Sequence, residues 1–493
     1  MSDHLLAIDQ GTTSTRSLLF DGSGRLVAIA QREFAQSYPK PGWVEHDPQV
    51  IWQDVLRTSR EVIAKSDGPV AAIGIANQRE TTVVWNRATG APVYPAIVWQ
   101  DRRTALECEH LRREGHEALV RARTGLLLDP YFSATKLAWI LDKVAGVRAQ
   151  AERGELAFGT IDSFLLWHLT KGAAHATDAT NASRTMLFDI HRQRWDGDLL
   201  KLFNIPDALL PEVHDNSFLY GITAEGLFDR QIPIAGMAGD QHAALIGQAC
   251  FNPGMAKVTY GTGCFFLLNT GEEALPPAKG TLTTLAYRTG ERPIYAVEGS
   301  IFAAGAVLKW LRDRLGLFDD MSQTSSMAAR AGSNEGTYLV PAFAGLGAPY
   351  WDPDARGLIC GLTLDSGPEH FVRAALESAA YQTVDLMGAI TAGGGPPCAL
   401  RIDGGMAAND WFCQFLADIL AAPVERPAML EATAQGAAFL AGLQVGIFSN
   451  FAAIAAAWRT GARFEPRMGG AERDGLIAGW RQAVARTLTH PVP

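Results

Sequence analysis

Three short stretches of this 493-residue chain carry residue types suited to holding phosphate. The first is Asp9-Gln10-Gly11-Thr12-Thr13-Ser14, set between the apolar runs 5–8 and 18–20. That pattern is a hairpin whose turn is made of small hydroxyls and backbone donors, with one acid at its mouth. Such a turn can wrap phosphate oxygens with N–H groups while Asp9 holds a magnesium ion. The second, Tyr260-Gly261-Thr262-Gly263, has the same character. The third, Asp403-Gly404-Gly405, leads into a helical stretch whose N-terminus suits an anion or a purine edge. Each alone also reads as a tight turn. Together, in this order and far apart, they point to two related halves closing on a nucleotide. No G-x-x-x-x-G-K-[ST] occurs, and no G-x-G-x-x-G follows a strand, which excludes the P-loop and dinucleotide-binding classes.

Asp240 ends the apolar stretch 233–239 and precedes Gln241 and His242. It suits a helix N-cap. It also stands where α/β proteins place their sites, at a strand's C-terminal end. A carboxylate there can accept a hydroxyl proton as that oxygen attacks phosphorus, and a weak base that orients the nucleophile suffices for phosphoryl transfer. Arg79 and Glu80 are neighbours at another strand's end. In a regular strand they point to opposite faces, so they reach one ligand only if the chain turns there; otherwise they form a solvated pair. Trp99, with Gln100, Asp101, Arg102 and Arg103 after it, and Asp129-Pro130-Tyr131-Phe132 add an indole and a phenol, residue types that also fill cores. As a set the cluster offers donors, acceptors and an apolar wall, which suits a small neutral polyol. The histidines show no metal-ligand spacing. Cys264, inside the second turn, has no recognisable His or Asp partner and reads as structural.

Strands alternate with helices along the chain, an α/β pattern. Asp47-Pro48 reads as an N-cap with proline at the first helical position. Strands are expected over 70–76, 81–85, 232–239, 257–269 as a hairpin, 294–298 and 400–403, and helices over 302–314 and 409–420. The boundary between halves is expected near residue 245, giving units 1–245 and 246–493. At roughly 100–200 residues per domain the length predicts two to four domains. A formal net charge of -9 recommends neither nucleic acid nor an anionic membrane. Six scattered cysteines without a C-x-x-C pair fit a reducing cytoplasm. The start, Met1-Ser2-Asp3-His4, lacks the basic region of a signal peptide. The charge-free stretch 432–458 reads as two packed helices broken at Gly446, the second capped by Ser449 or Asn450, rather than as a membrane span.

Beyond these local signals, several segments resemble the bacterial glycerol kinases, members of the wider family of carbohydrate kinases. They are Tyr38 to Pro48, Asn77 to Thr82, Asp178 to Met186, Ala238 to Gln241, Tyr260 to Phe265 and Pro341 to Pro353. The resemblance runs from Asp9 to about Gly446. It implies two ribonuclease-H-like domains, as in actin and hexokinase, flanking a deep cleft. It implies ATP-dependent phosphorylation of glycerol to sn-glycerol 3-phosphate with magnesium, the first step of glycerol catabolism. By position it assigns Arg79, Glu80, Trp99, Tyr131, Asp240, Gln241 and Phe265 to glycerol, with Asp240 as base. Thr12, Thr13, Ser14, Arg16, Thr262, Gly263, Gly305, Lys309, Gly405 and Asn409 fall to the nucleotide, and Asp9 and Asp240 to the metal. It suggests a homodimer or homotetramer in the cytoplasm, with no membrane insertion.

Two departures stand out. Members of the family usually carry Gln where this chain has Lys309, a point charge that cannot accept a hydrogen bond. Some bacterial members bind an inhibitory sugar bisphosphate on a glycine- and basic-rich loop. The matching stretch from Thr223 to Gln231 holds Glu225, Leu227, Phe228 and Asp229, so that inhibition is not expected here. After Arg459 the resemblance is weak, and no regulatory contact is carried over. A kinase for a ketopentose or another polyol, and an ATP-driven conformational protein lacking the polyol cluster, are the competing readings.

Overall fold

The computed structural model describes residues 3–276, 280–352, 354–391 and 397–489. Met1 and Ser2, and Pro353 at the end of the stretch beginning at Pro341, lie outside the described residues.

We number only the elements that position the site. The first half holds β1 (His4–Gln10), β2 (Ser14–Asp21), β3 (Leu26–Glu33), α1 (Pro48–Ile63), β4 (Val70–Asn77), β5 (Ser217–Ile222), β6 (Pro233–Gly239) and α2 (Asp240–Gly247). The second holds β7 (Met255–Tyr260), β8 (Cys264–Gly271), β9 (Leu282–Thr289), β10 (Arg292–Ile301), α3 (Gly305–Asp313), β11 (Ala399–Asp403), α4 (Asp410–Leu420), β12 (Val424–Pro427), α5 (Ala432–Gln444) and β13 (Thr460–Phe464). The first sheet runs β5-β6-β4-β1-β2-β3, and the second β9-β10-β8-β7-β11-β12-β13. Both are built alike. A β1-β2-β3 meander is matched by β7-β8-β10, and parallel strands β4 and β6 are matched by β11 and β12.

Strand alternation sets the core. Leu6 and Ile8 of β1 face α1, whose Ile51, Val55 and Val62 recur at helical spacing. Leu5 and Ala7 face the alanines of α5. The helix start at Asp47-Pro48 is as expected, with the Asp47 carboxylate accepting from the Gln49 N–H. Asn450 caps the helix Phe451–Ala457, and Gly446 takes φ +80° between the two helices. Among the described residues no helix is long and apolar enough to cross a membrane.

Several boundaries differ from expectation, three of them for a reason visible in the structure. The strand expected over 81–85 is Val83–Asn86, because Glu80 has φ +60° and the Thr81 N–H turns back to the Arg79 carbonyl at 2.7 Å. The helix expected from 302 starts at Gly305, because the Ala304 and Gly305 N–H groups bond carbonyls of the 261–262 turn. Asn409 caps α4 rather than opening it, its side chain accepting from the Phe412 N–H.

Although α5 comes late in the chain, it packs on β1, β4 and β6 of the first sheet and crosses α2. This crossing is backbone against backbone. A Cβ on Gly436 would lie 1.8 Å from the Ala243 carbonyl oxygen, one on Gly247 2.0 Å from that of Ala432, and one on Gly74 2.0 Å from that of Ala437. Gly436→Ala therefore forces the helices apart and is expected to lower stability by at least ~2 kcal/mol. Gly388→Ala, at an exposed position in the helix Pro368–Thr391 where nothing lies within 4 Å, is expected to raise it by ~1 kcal/mol. Urea unfolding midpoints of the two variants check both signs.

Candidate active site

The parallel register brings the chemistry to one end of the first sheet. Gln10 lies opposite Asn77, and Gly239 opposite Asn77, so β1, β4 and β6 finish level. The first phosphate-type turn, Arg79-Glu80 and Asp240 follow these three strand ends directly. On the second sheet Thr259 lies opposite Asp403, so the turns after β7 and β11 also emerge together.

Behind the strand ends lies a buried polar lattice. Asn77 and Asn181 exchange amide hydrogen bonds of 3.0 and 2.9 Å. Asp178 accepts from the Thr180 N–H, the Asn181 amide and the Asn216 amide, and Thr180 Oγ1 accepts from the Gly239 N–H. Burial raises Asp178, and burial with Asp178 alongside raises Asp162. The lattice holds fixed the residues from which Arg79 and Asp240 project.

At Glu80 the chain makes the turn that the ligand-facing reading required, and the pair is almost wholly buried rather than solvated. Arg79 donates from both terminal nitrogens to Glu298 of β10, at 2.7 and 3.1 Å. Its Nε lies 3.2 Å from Asp240 Oδ1 and 4.0 Å from Glu80 Oε1. Arg184 Nε donates to Glu80 at 2.6 Å, and its Nη2 to Glu298 at 3.1 Å. Burial alone would raise Glu298, but Arg184 and Arg79 overcome it and hold the carboxyl at about 2. Burial raises Glu80 against the pull of Arg184 and Arg79, and raises Asp240 against that of Arg79 and Lys257. His242, enclosed and beside Arg79, is pushed well below its usual range and is neutral.

Asp240 is not an N-cap. Gly239 takes that place, and Asp240 is the first residue of α2, its Oδ1 accepting from the Gln241 N–H at 2.7 Å. Its carboxylate retains 28% of its surface, far more than the carboxylates around it. Lys257 Nζ donates to Gln241 Oε1 at 2.5 Å and to Thr259 Oγ1 at 2.8 Å. A lysine has no acceptor, so the Gln241 oxygen must face it and the amide NH₂ is turned the other way.

Aromatic rings line the cluster. Trp99 meets Tyr131 edge-on at 5.4 Å and Phe265 at 6.4 Å, and the Arg79 guanidinium lies over Phe265 at 5.7 Å. Trp99 is only half-buried, and its Nε1–H donates to Thr12 Oγ1 at 2.9 Å. The polar cluster and both hairpin turns thus share one space. The structure brings together Arg79, Glu80, Trp99, Tyr131, Asp240, Gln241 and Phe265.

The residues expected at the nucleotide fall into two groups. Thr12, Thr13 and Ser14 form the first turn, closed by Gly11 N–H to the Ser14 carbonyl at 2.9 Å. Arg16 is paired with Asp9 and with Glu431 at the start of α5. Thr262, Gly263 and Gly305 form a joined turn and helix start, and Gly405 and Asn409 follow β11. A Cβ on Gly263 would stand 2.6 Å from the Ile301 carbonyl oxygen, and one on Gly305 2.7 Å from that of Gly261, so these turns require bare backbone. Lys309 lies exposed on α3, and among the described residues no ion pair engages it. The 223–231 stretch is a surface loop with Glu225 and Asp229 exposed. Among the described residues no group of three or more His, Cys, Asp or Glu side chains could hold a metal ion.

Glu298, Arg184 and Lys257 were not singled out in the sequence. Their signal was there: an acid within the apolar stretch 294–301 and a lysine inside the strand before the second turn.

Residues 4–247 match the FGGY family of carbohydrate kinases, N-terminal domain, and residues 256–445 match its C-terminal domain. A glycerol kinase of Gluconobacter oxydans is 60% identical over 494 residues, spanning 100% of this chain and 96% of that protein. Glycerol kinase 1 of Pseudomonas aeruginosa is 56% identical, spanning 99% of each. The crystal structure of Plasmodium falciparum glycerol kinase with ADP superposes with a TM-score of 0.93 at 37% identity, covering 99% of both chains. A xylulose kinase of Lactobacillus acidophilus shares the fold, with a TM-score of 0.86 at 22% identity over 98% of this chain and 97% of that one.

Cys264 is fully buried and burial pushes its thiol far up, which fits the structural reading. Cys398 is the exposed cysteine. Iodoacetamide on the folded protein is expected to label Cys398 first and to leave Cys264 unlabelled until urea unfolds the chain. Peptide mass mapping over time reads the order.

Proposed function

Since the chain belongs to the FGGY family of carbohydrate kinases, we infer that it transfers the terminal phosphoryl group of ATP to glycerol, giving sn-glycerol 3-phosphate and ADP. The observation that carries this reading is 55–60% identity to glycerol kinases over essentially the whole chain. The half-enclosed cluster around Arg79 and Asp240 agrees with it. Three hydroxyls on a three-carbon chain need donors and acceptors on every side, and Arg79, Glu80, Gln241 and Tyr131 offer them within one aromatic wall.

We assign the base to Asp240. Its carboxylate accepts the proton of a terminal glycerol hydroxyl. That oxygen bonds to the γ-phosphorus as the bond from phosphorus to the ADP oxygen breaks. Three features support the assignment: its exposure among buried carboxylates, its place at the end of β6, and a carboxyl raised by burial. The nucleotide falls to Thr12, Thr13, Ser14, Arg16, Thr262, Gly263, Gly305, Gly405 and Asn409, and with them to Lys309, on the same helix as Gly305. Asp9 and Asp240 would hold magnesium. Two carboxylates without a third ligand suit an ion that keeps several waters and takes phosphate oxygens. When bound, it neutralises charge on the phosphates. Gln241, its amide turned by Lys257, would donate to a glycerol oxygen.

The domain division at 245, with α5 returned to the first sheet, belongs to the same proposal. So do a cytoplasmic location, supported by six free cysteines, and assembly as a dimer or tetramer.

Two experiments test the reading. ADP release with Mg-ATP is expected to be stimulated strongly by glycerol, and weakly or not at all by dihydroxyacetone, xylulose or ribulose. Stimulation by a ketose alone would keep the fold and overturn the substrate. Asp240→Asn is expected to lower kcat by about 10²–10⁴-fold with ATP affinity nearly unchanged, the mark of a group acting in the transition state. The base must be ionised to work, and burial raises its carboxyl. The kcat/KM of the wild type is therefore expected to rise with pH through a value above the usual carboxylate range and then level off.

A further inference from the structure

Glu298 reaches across from the second sheet and receives three hydrogen bonds from arginines of the first half. We propose that Glu298 is a positioning residue. It takes up the Arg79 guanidinium at two points and so keeps Asp240 free to act as acceptor.

Arg79 is the cation closest to the base, its Nε 3.2 Å from Asp240 Oδ1. A guanidinium prefers a carboxylate it can meet with two parallel N–H groups. Both terminal nitrogens are already spent that way on Glu298, so Asp240 meets only the lateral Nε. Arg184 is divided in the same manner, between Glu80 and Glu298. Without the Glu298 charge, two arginines would remain in a nearly closed space with Glu80 and Asp240 as their only carboxylates at hand. Arg79 would turn to Asp240, ion-pair it fully and leave its place at the substrate. The groups facing this exchange are few. Around Glu298 they are Arg79, Arg184, Glu80, Lys257, Tyr131 and the neutral His242. Around Asp240 they are Arg79 and Lys257, with Asp403 beyond Lys257, and Tyr131 borders Arg79.

This inference rests on the reading that Arg79 and Asp240 face glycerol, and the test separates the two. Glu298→Gln keeps the shape and removes the charge. It is expected to raise the glycerol KM at least tenfold and to leave the ATP KM within twofold, because Arg79 turns to Asp240 and away from the substrate. Glu298→Asp keeps the charge but is one methylene short. It is expected to raise the glycerol KM by less than Glu298→Gln does, with the ATP KM again unchanged. A merely structural role would lower the melting temperature and leave these parameters alone. A wild-type glycerol KM in Glu298→Gln would overturn the proposal, as would equal losses toward ATP and glycerol. Should Glu298→Gln not fold, Glu298→Asp decides: a raised glycerol KM with unchanged ATP KM supports the proposal, and an unchanged glycerol KM overturns it. Asp240→Asn is measured alongside. If it keeps normal turnover, the site reading itself fails. If it is inactive while Glu298→Gln matches the wild type, only the present inference fails.

Discussion

Two arginines and three carboxylates share a space nearly closed to water, and each must find its counter-charge inside it. Taking a charge out of water costs several kcal/mol unless partners replace the lost hydration. Arg79, Arg184, Glu80, Glu298 and Asp240 meet that demand only as a set, with Glu298 contributed by one sheet and the other four by the other half. The set carries one more negative charge than positive. The other four are locked to one another by hydrogen bonds of 2.6 to 3.1 Å, and Asp240, which faces Arg79 and Lys257, is the carboxylate that remains partly open. Removing any one of the four would let the rest re-pair. On the proposed assignment, the reactivity of Asp240 is therefore a property of the whole arrangement rather than of one residue's surroundings.

That arrangement needs its parts held to fractions of an ångström, and the backbone supplies the precision. Three parallel strand ends finish level, because pairing register fixes β1 and β6 against β4. The buried lattice of Asn77, Asp178, Thr180, Asn181 and Asn216 then ties those ends to each other. The two halves are joined where α2 crosses α5 at a distance only glycine permits. α2 also begins with Asp240 and Gln241. The crossing and Asp240 thus lie on one eight-residue helix.

Much of this could be read from the sequence, and what could not has a common cause. Glycine-threonine turns announce themselves, because a chain that must bare its backbone has few residue types to do it with. Gly261-Thr262-Gly263 and Gly404-Gly405 were found on that ground, and so was the cap at Asp47-Pro48. The turn at Glu80 was left open, because a glutamate at φ +60° is chosen by its surroundings, not by local preference. The helix start at Gly305 was set three residues early, because its first N–H groups are claimed by a turn more than 40 positions upstream. Glu298 and Lys257 escaped because strand patterning treats a charged residue as a face turned to solvent. Only the fold shows that both faces of β7 and β10 are covered at those points.

Phosphate and polyol make opposite demands on the same kind of sheet. Phosphate is alike in every direction that matters, and bare N–H groups hold it, so the nucleotide side needs glycines and small hydroxyls at strand ends. Glycerol differs from other small polyols only in size and in where its hydroxyls stand. Discriminating it takes side chains of fixed rotamer, and a fixed rotamer on Arg79 or Gln241 requires a partner on its far side. Those partners, Glu298 and Lys257, come from the half that carries the second phosphate turn. Neither half alone can present the polyol groups in a working orientation. On the proposed assignment, selection of the acceptor and approach of the nucleotide are therefore both tied to the same contact between the sheets.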